Sequence, residues 1–282
     1  MTARLRESAL GLLLGCHPLP CVAVTAFATA YAAAIEAGPG RLIGIALAIG
    51  TGQLVVGWSN DAIDAPRDLA AQRTDKPVST GLVSGRVLAV AAFLSAVACG
   101  VLSFRLGAAF GWLHLVAVVS AVSYNAGLKA TWLSPAPYLI SFGLLPVMLT
   151  YAVTGLSGPP LSHVVAAALL GSAGHAGNTV GDTEADAATG VRGLPQRLGP
   201  QRSLIAMALL VATAAIVLLV AVFQDGDGSA AGRFVAGALL LSGVALAIVG
   251  AVRRVGVPGG RAAWRLTLLA VTLVIAGFLA AV

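Results

Sequence analysis

Charge is scarce in this sequence. Only 10% of its 282 residues are charged and 58% are hydrophobic, with a mean hydropathy of +0.93. Ordinary globular domains carry roughly 25% charged residues, so this shortage excludes a soluble domain and indicates a chain embedded in a bilayer. Cysteine is nearly missing. Cys16, Cys21 and Cys99 lie in apolar runs without metal-ligand spacing, which leaves them as small buried hydrophobes. The balance of charge is basic, net +6 with a pI near 9.8, yet the Lys and Arg are spread over the loops and build no patch. No nucleic-acid partner is expected; the positive charge belongs to membrane topology and to anionic lipid or substrate. Arg4 and Arg6 stand before an apolar run, as in a signal peptide. The run is too long for one and others follow it, so cleavage is not expected.

What the sequence has instead is long apolar runs. Nine are long enough to cross a hydrocarbon core of about 30 Å, at 10–36, 41–62, 86–106, 108–127, 135–155, 161–181, 202–223, 231–252 and 263–281. Gly38-Pro39-Gly40, Gly158-Pro159-Pro160 and Pro258-Gly259-Gly260 are among the breakers between them, while only Arg105-Leu106-Gly107 parts the third from the fourth. Backbone in hydrocarbon must be satisfied within helices or a closed barrel, and these runs lack the alternation of barrel strands. The expected fold is therefore an all-α integral membrane protein, a single domain over residues 1–282. Its nine transmembrane helices would form one bundle. With nine helices, Arg41, Arg105 and Arg233 fall on one side and the other fourteen of the 17 Lys and Arg on the side of the N-terminus. The positive side is cytoplasmic. That puts the N-terminus there, in a multi-pass protein of the cell membrane.

Against this apolar background one stretch stands out, Trp58 to Asp68. It places Asn60, Asp64 and Asp68 at i, i+4 and i+8, with Asp61 beside the first, so the oxygen donors line one helical face. Ionised carboxylates near hydrocarbon require compensating positive charge. Hard divalent cations prefer such oxygen clusters, and Mg2+ takes one or two carboxylates, several waters and substrate phosphates. Asp182-Thr183-Glu184-Ala185-Asp186 repeats the i, i+4 carboxylate pair. Two such clusters on one side of the membrane are the makings of a Mg2+-diphosphate site. The first is followed by Arg67, Arg73 and Lys76, the second by Arg192 and Arg197. Lys129, in Tyr124-Asn125-Ala126-Gly127-Leu128-Lys129, is the only Lys or Arg between Arg105 and Arg192 and a candidate for holding a leaving group. Residues 64–86 and 182–201 are the longest polar stretches and read as lids. Gly44, Gly50, Gly52, Gly143 and Gly171 suit close helix packing, and Trp112 and Trp264 suit interface anchors.

Asn60-Asp61-x-x-Asp64-x-x-x-Asp68 resembles the first aspartate-rich motif of the UbiA superfamily of intramembrane prenyltransferases. Asp182-x-x-x-Asp186-x-x-x-Gly190-x-Arg192-x-Leu194-Pro195 resembles the second. Arg73-Thr74-Asp75-Lys76-Pro77 and Tyr124 to Lys129 are similar to two further family segments, and the resemblance covers essentially the whole chain. It implies a central cavity in the bundle, opening to the cytoplasmic side. It further implies that Asn60, Asp61, Asp64, Asp68, Asp182 and Asp186 hold Mg2+ and that Arg73, Lys76, Lys129 and Arg192 bind the diphosphate of an isoprenyl diphosphate. Asp64, Asp182, Lys129 and Tyr124 are then the residues closest to catalysis, although a core or interfacial role suits Tyr124 equally. Charge building on the leaving group would be stabilised by metal and bases, and the carbocation protected in an apolar cavity.

The sequence departs from the family in two places. Lys76 stands where Arg is more usual, keeping the charge without the bidentate geometry. His17-Pro18 stands where many members have Arg-Pro. His17, His175 and Asn178 are read as acceptor-binding or cavity residues, or as members of a polar network. The leading function is Mg2+-dependent prenyl transfer to a lipophilic acceptor of aromatic or quinone type, in the lipid bilayer. The alternative is a membrane terpene synthase that cyclises the prenyl diphosphate without an acceptor. Ion transport would place its carboxylates at the midplane, and a CDP-alcohol phosphotransferase would carry an Asp-Gly…Ala-Arg pattern that is missing here.

Overall fold

A computed structural model describes residues 2–155, 157–188, 190–224, 230–252 and 260–282, and the side chains at 2–3, 178, 180–188, 260–264 and 281 lie outside the description. The described chain divides into two compact units, one of residues 1–128 and 148–157, the other of 129–147 and 158–282. Among the described residues there are eleven α-helices and one short 3-10 turn, with no strand.

The first unit holds α1 (Thr2–Gly15), α2 (Pro18–Ala34), α3 (Pro39–Ala70), α4 (Gly85–Arg105) and α5 (Ala108–Asn125), together with the end of α6 (Ala136–Thr154). Sequence signals explain several starts. Proline, whose missing N–H costs nothing in a first turn, opens α2 and α3, and the Ser84 hydroxyl caps α4 by accepting from Val87 N at 3.3 Å. α3 packs against α1, α2, α4 and α5 and is the spine of this unit. Its 32 residues reach about 48 Å at 1.5 Å per residue, well beyond a core of about 30 Å. The length lets its acidic C-terminal end emerge from the apolar layer.

The expected first span, 10–36, is broken. α1 and α2 meet at a bend of 56°. Pro18 disfavours ordinary helix for the residue before it, and His17 adopts φ 54° and ψ 71° in the left-handed region. The break is docked on α3. Gly57 lies so close to the backbone of Cys16 that an added Cβ would collide with the Cys16 carbonyl, and Trp58 Nε1 donates to Leu12 O at 2.8 Å.

The second unit holds the start of α6, then α7 (Leu161–Ala188), α8 (Leu194–Leu198), α9 (Pro200–Gln224), α10 (Ala230–Val252) and α11 (Gly260–Ala281). α9 packs against the other four, α7, α8, α10 and α11, with Leu204, Met207, Val211 and Leu218 buried in its core. Large apolar side chains such as Phe93, Val119, Phe223 and Phe234 are exposed, as lipid-facing residues are.

Six helices among the described residues are long and apolar enough to cross a membrane, or seven if the bent α1–α2 pair is one span. The expected count of nine spans is not confirmed by this measure, although each of the nine apolar runs coincides with a helix or, for the first, a helix pair. Two helices also outrun their apolar stretches: α3 continues to Ala70 and α7 to Ala188, so both acidic clusters lie on helix and the polar connections begin only after them.

Candidate active site

In the first unit the acidic residues sit on the last turns of α3. Asp61, Asp64 and Asp68 are all buried, and Asn60 is half-buried. Burying carboxylates is costly unless they are paired, and here the pairing comes from nearby bases. Arg67 Nη2 lies 2.9 Å from Asp64 Oδ2, one turn on along the same helix, and Arg67 Nε lies 4.0 Å from Asp68 Oδ1. Asp68 Oδ1 nevertheless has no hydrogen-bond partner. Asn60 is fixed from α5: its Nδ2 donates to Asn125 Oδ1 at 3.1 Å, while Asn125 Nδ2 donates to Val56 O at 2.9 Å and Ser59 Oγ at 3.0 Å. Asn125 was not singled out in the sequence; its place beside Tyr124, which is half-buried, is the only local signal.

Asp61 is arranged differently from Asp64 and Asp68. Its Oδ1 accepts from Lys76 Nζ at 2.7 Å and lies 3.0 Å from His17 Nε2. Its other oxygen, Oδ2, has no hydrogen-bond partner and points towards Gly15, where an added Cβ would stand 3.6 Å away. The sequence grouped Asp61 with the metal-holding carboxylates and His17 with the acceptor. The structure joins both to Lys76 in one cluster. The connection after α3 carries a further pair: Arg73 Nε and Nη2 donate to the two oxygens of Asp75 at 3.1 and 2.6 Å. The guanidinium holds the Asp75 carboxyl below the usual carboxylate range.

The second unit places Lys129 on the 3-10 turn Leu128–Ala130, half-buried, and Arg192, exposed, on the loop between α7 and α8. Asn178, Asp182 and Asp186 lie on α7, and their side chains are outside the described residues. His175, on the same helix, is 1% exposed, stacks on Tyr138 at 4.8 Å between ring centroids and shares a hydrogen bond of 3.1 Å with Ser134 Oγ. These contacts make it a member of a buried polar network. Arg197, read in the sequence as a second base after Asp186, lies over the Trp132 ring at 4.9 Å and donates from Nε to Arg192 O at 2.7 Å.

The profile of the UbiA prenyltransferase family matches residues 21–269, most of the chain and both acidic segments. The chain belongs to the UbiA prenyltransferase family. At the level of that family it is an intramembrane prenyltransferase. Solved UbiA homologues share its fold. One from Archaeoglobus fulgidus, bound to DMAPP and Mg2+, is 17% identical with a TM-score of 0.69, over 96% of this chain and 98% of that one. A digeranylgeranylglyceryl phosphate synthase is 16% identical with a TM-score of 0.70, over 97% of this chain and 98% of the other. A UbiA homologue from Aeropyrum pernix K1, in its apo form, is 19% identical with a TM-score of 0.68, over 91% and 97%. A search of the curated proteins finds no match.

The oxygen donors of the UbiA chain's first unit suit a hard cation. Among the described residues no three His, Cys, Asp or Glu form a ready cage. Mg2+ does not demand one, since it keeps waters and takes only one or two carboxylates beside substrate phosphates. Asp64 and Asp68, one turn apart, with an unpartnered buried oxygen on Asp68, meet that requirement. A cavity of about 320 Å3 in the same unit is lined by Arg41 and Tyr151 and lies at the other end of α3. It is not the pocket expected beside the acidic face.

Proposed function

We infer that this chain is a Mg2+-dependent prenyltransferase that cleaves an isoprenyl diphosphate, releases diphosphate and transfers the prenyl group to a lipophilic acceptor of aromatic or quinone type. The observation that carries the reading is the buried acidic face of α3, Asp64 and Asp68 with Asn60, at the end of an otherwise apolar helix. These residues, and Asp182 and Asp186 on α7, would hold Mg2+. When bound, the ion neutralises charge on the departing diphosphate.

The protein's own groups do the rest. Arg73, Lys76, Lys129 and Arg192 bind diphosphate oxygens and orient the leaving group, as fixed cations that need no reorganisation during the reaction. Arg67 holds Asp64 in place, and Asn125 holds Asn60. Asp61 fixes the Lys76 ammonium and the His17 ring. The apolar helices exclude water from the allylic cation left behind. The excess of Lys and Arg on one side supports a cytoplasmic N-terminus and a site opening to that side.

The test uses detergent-purified protein with Mg2+ and geranyl, farnesyl or geranylgeranyl diphosphate, with and without quinone-precursor acceptors. Prenylated acceptor that disappears with a chelator and in Asp64→Ala is the expected result. A cyclic hydrocarbon formed without acceptor would replace transfer by cyclisation on the same site. No diphosphate release under any of these conditions would overturn the reading.

A further inference from the structure

The second unit contains a set of ties whose purpose the reaction scheme above does not use. They join two segments remote in sequence, the stretch from Lys129 to Ser134 and the loop from Arg192 to Arg197. On the inner side, Ser134 is fully buried, and its Oγ accepts from Leu194 N at 2.9 Å while sharing a hydrogen bond with His175 Nε2 at 3.1 Å. In the middle, Gly193 packs directly on the Lys129 backbone, so that an added Cβ would stand 2.5 Å from the Lys129 carbonyl and 2.9 Å from Ser134 Oγ. On the outer side, Arg197 covers Trp132 at 4.9 Å and holds Arg192 O at 2.7 Å.

A polar group as buried as Ser134 is worth keeping only if its hydrogen bonds are made. Here they are made to a backbone N–H at the start of α8 and to a histidine on α7. The Gly193 contact shows that the two segments touch backbone to backbone, which a side chain at that position would prevent. The two residues brought together by these ties are the two cations of this unit assigned to the diphosphate. One emerges just before the tied stretch and the other just before Gly193. When the backbones of two cations are already fixed, meeting a phosphate no longer costs the entropy of ordering them.

We propose that Ser134 and His175 are positioning residues for the prenyl-diphosphate reaction: they lock the Arg192–Arg197 loop onto the Lys129–Ser134 stretch, so that Lys129 and Arg192 act as one preorganised basic pair. Arg197, clamped between Trp132 and the Arg192 carbonyl, is the outer part of the same lock and not a third phosphate ligand. The proposal rests on the reading above that Lys129 and Arg192 bind diphosphate.

Two measurements on the full-length protein separate the lock from the function it serves. The first is steady-state prenyl transfer by Ser134→Ala, His175→Leu and His175→Gln, each alone and combined with Arg192→Ala. Ser134→Ala and His175→Leu are expected to lower kcat/KM for the prenyl diphosphate about tenfold alone and under about twofold when Arg192 is already gone, because they act through it. His175→Gln, which keeps a terminal nitrogen for Ser134, restores most of the loss. The second is trypsin cleavage after Arg192 and Arg197, which needs no activity. Cleavage there should speed up in Ser134→Ala and His175→Leu, with cleavage after Arg73 in the first unit unchanged.

Faster cleavage in a protein that transfers no prenyl group would uphold the lock and sink the functional reading instead. An active enzyme in which the Ser134 and Arg192 effects multiply, or in which neither cleavage nor kcat/KM changes, would overturn the proposal. If Ser134→Ala fails to fold, the comparison of His175→Leu with His175→Gln carries the same test, since the two differ in whether a nitrogen faces the Ser134 hydroxyl.

Discussion

The end of α3 in the first unit and the Arg192–Arg197 loop in the second are both basic regions next to an acidic motif, yet they are held by opposite means. In the first, bases pair with carboxylates: Arg67 with Asp64, Lys76 with Asp61, Arg73 with Asp75. In the second, the ties among the described residues are a serine hydroxyl, a histidine, a backbone N–H and a tryptophan ring. Each region also relies on one glycine that brings backbone against backbone, Gly57 on Cys16 and Gly193 on Lys129. The difference teaches what each region is for. Buried carboxylates that must accept a dication need counter-charge until it arrives. The cations proposed to meet the diphosphate are thus held in two ways: Lys76 and Arg73 are oriented by carboxylates, while the backbone beside Lys129 and Arg192 is fixed by neutral groups.

The largest expected effect comes from the first region. Asp68→Asn or Asp64→Ala removes a carboxylate from the proposed Mg2+ site and should lower prenyl transfer about a thousandfold or more, measured as product formed at saturating Mg2+. A loss under about tenfold would mean that the acidic face is only a structural ion-pair network. Next are the two glycines. Gly57→Ala and Gly193→Ala should each cost about 1–3 kcal/mol of stability through forced backbone separation, read as thermal unfolding in detergent. Unchanged unfolding of either would show that its close contact is not needed.

A smaller effect is expected at Asp61. Asp61→Asn keeps the shape but weakens the hold on Lys76 and His17, for a loss of about tenfold in kcat/KM, while the Mg2+ concentration for half-maximal rate stays unchanged. A raised Mg2+ requirement would return Asp61 to the metal site. The smallest effect belongs to Asp75, which is largely exposed. Its pKa is depressed by Arg73, so the pair's contribution is present above the unfolded carboxylate value near about pH 4 and is lost as pH falls through the lower folded value. Asp75→Asn should change stability at neutral pH by under about 1 kcal/mol and remove that part of the acid dependence.

Much of this was legible in the sequence. The apolar runs marked most helices because a chain in lipid has little choice but to satisfy its backbone in helices. The i, i+4, i+8 spacing put Asn60, Asp64 and Asp68 on one face because they do continue the helix. The break at His17 was hidden because apolar character runs unbroken across it; Pro18 was its only signal. In α3, which continues past its apolar stretch to Ala70, burial and ion pairing of Asp61 and Asp64 offset the low helix preference of Asp. Asp61's separate role depends on Lys76 and His17, which no spacing rule connects to it. Ser134 was invisible for the same reason: its partners are 41 and 60 residues away.

The most direct test of the central claim is equilibrium binding of non-hydrolysable prenyl thiodiphosphates to the purified protein, with and without Mg2+, for the wild type, Asp68→Asn and Asp61→Asn. The account predicts binding that requires Mg2+, is lost in Asp68→Asn, and in Asp61→Asn is weaker but still Mg2+-dependent. Binding indifferent both to Mg2+ and to Asp68→Asn would contradict it.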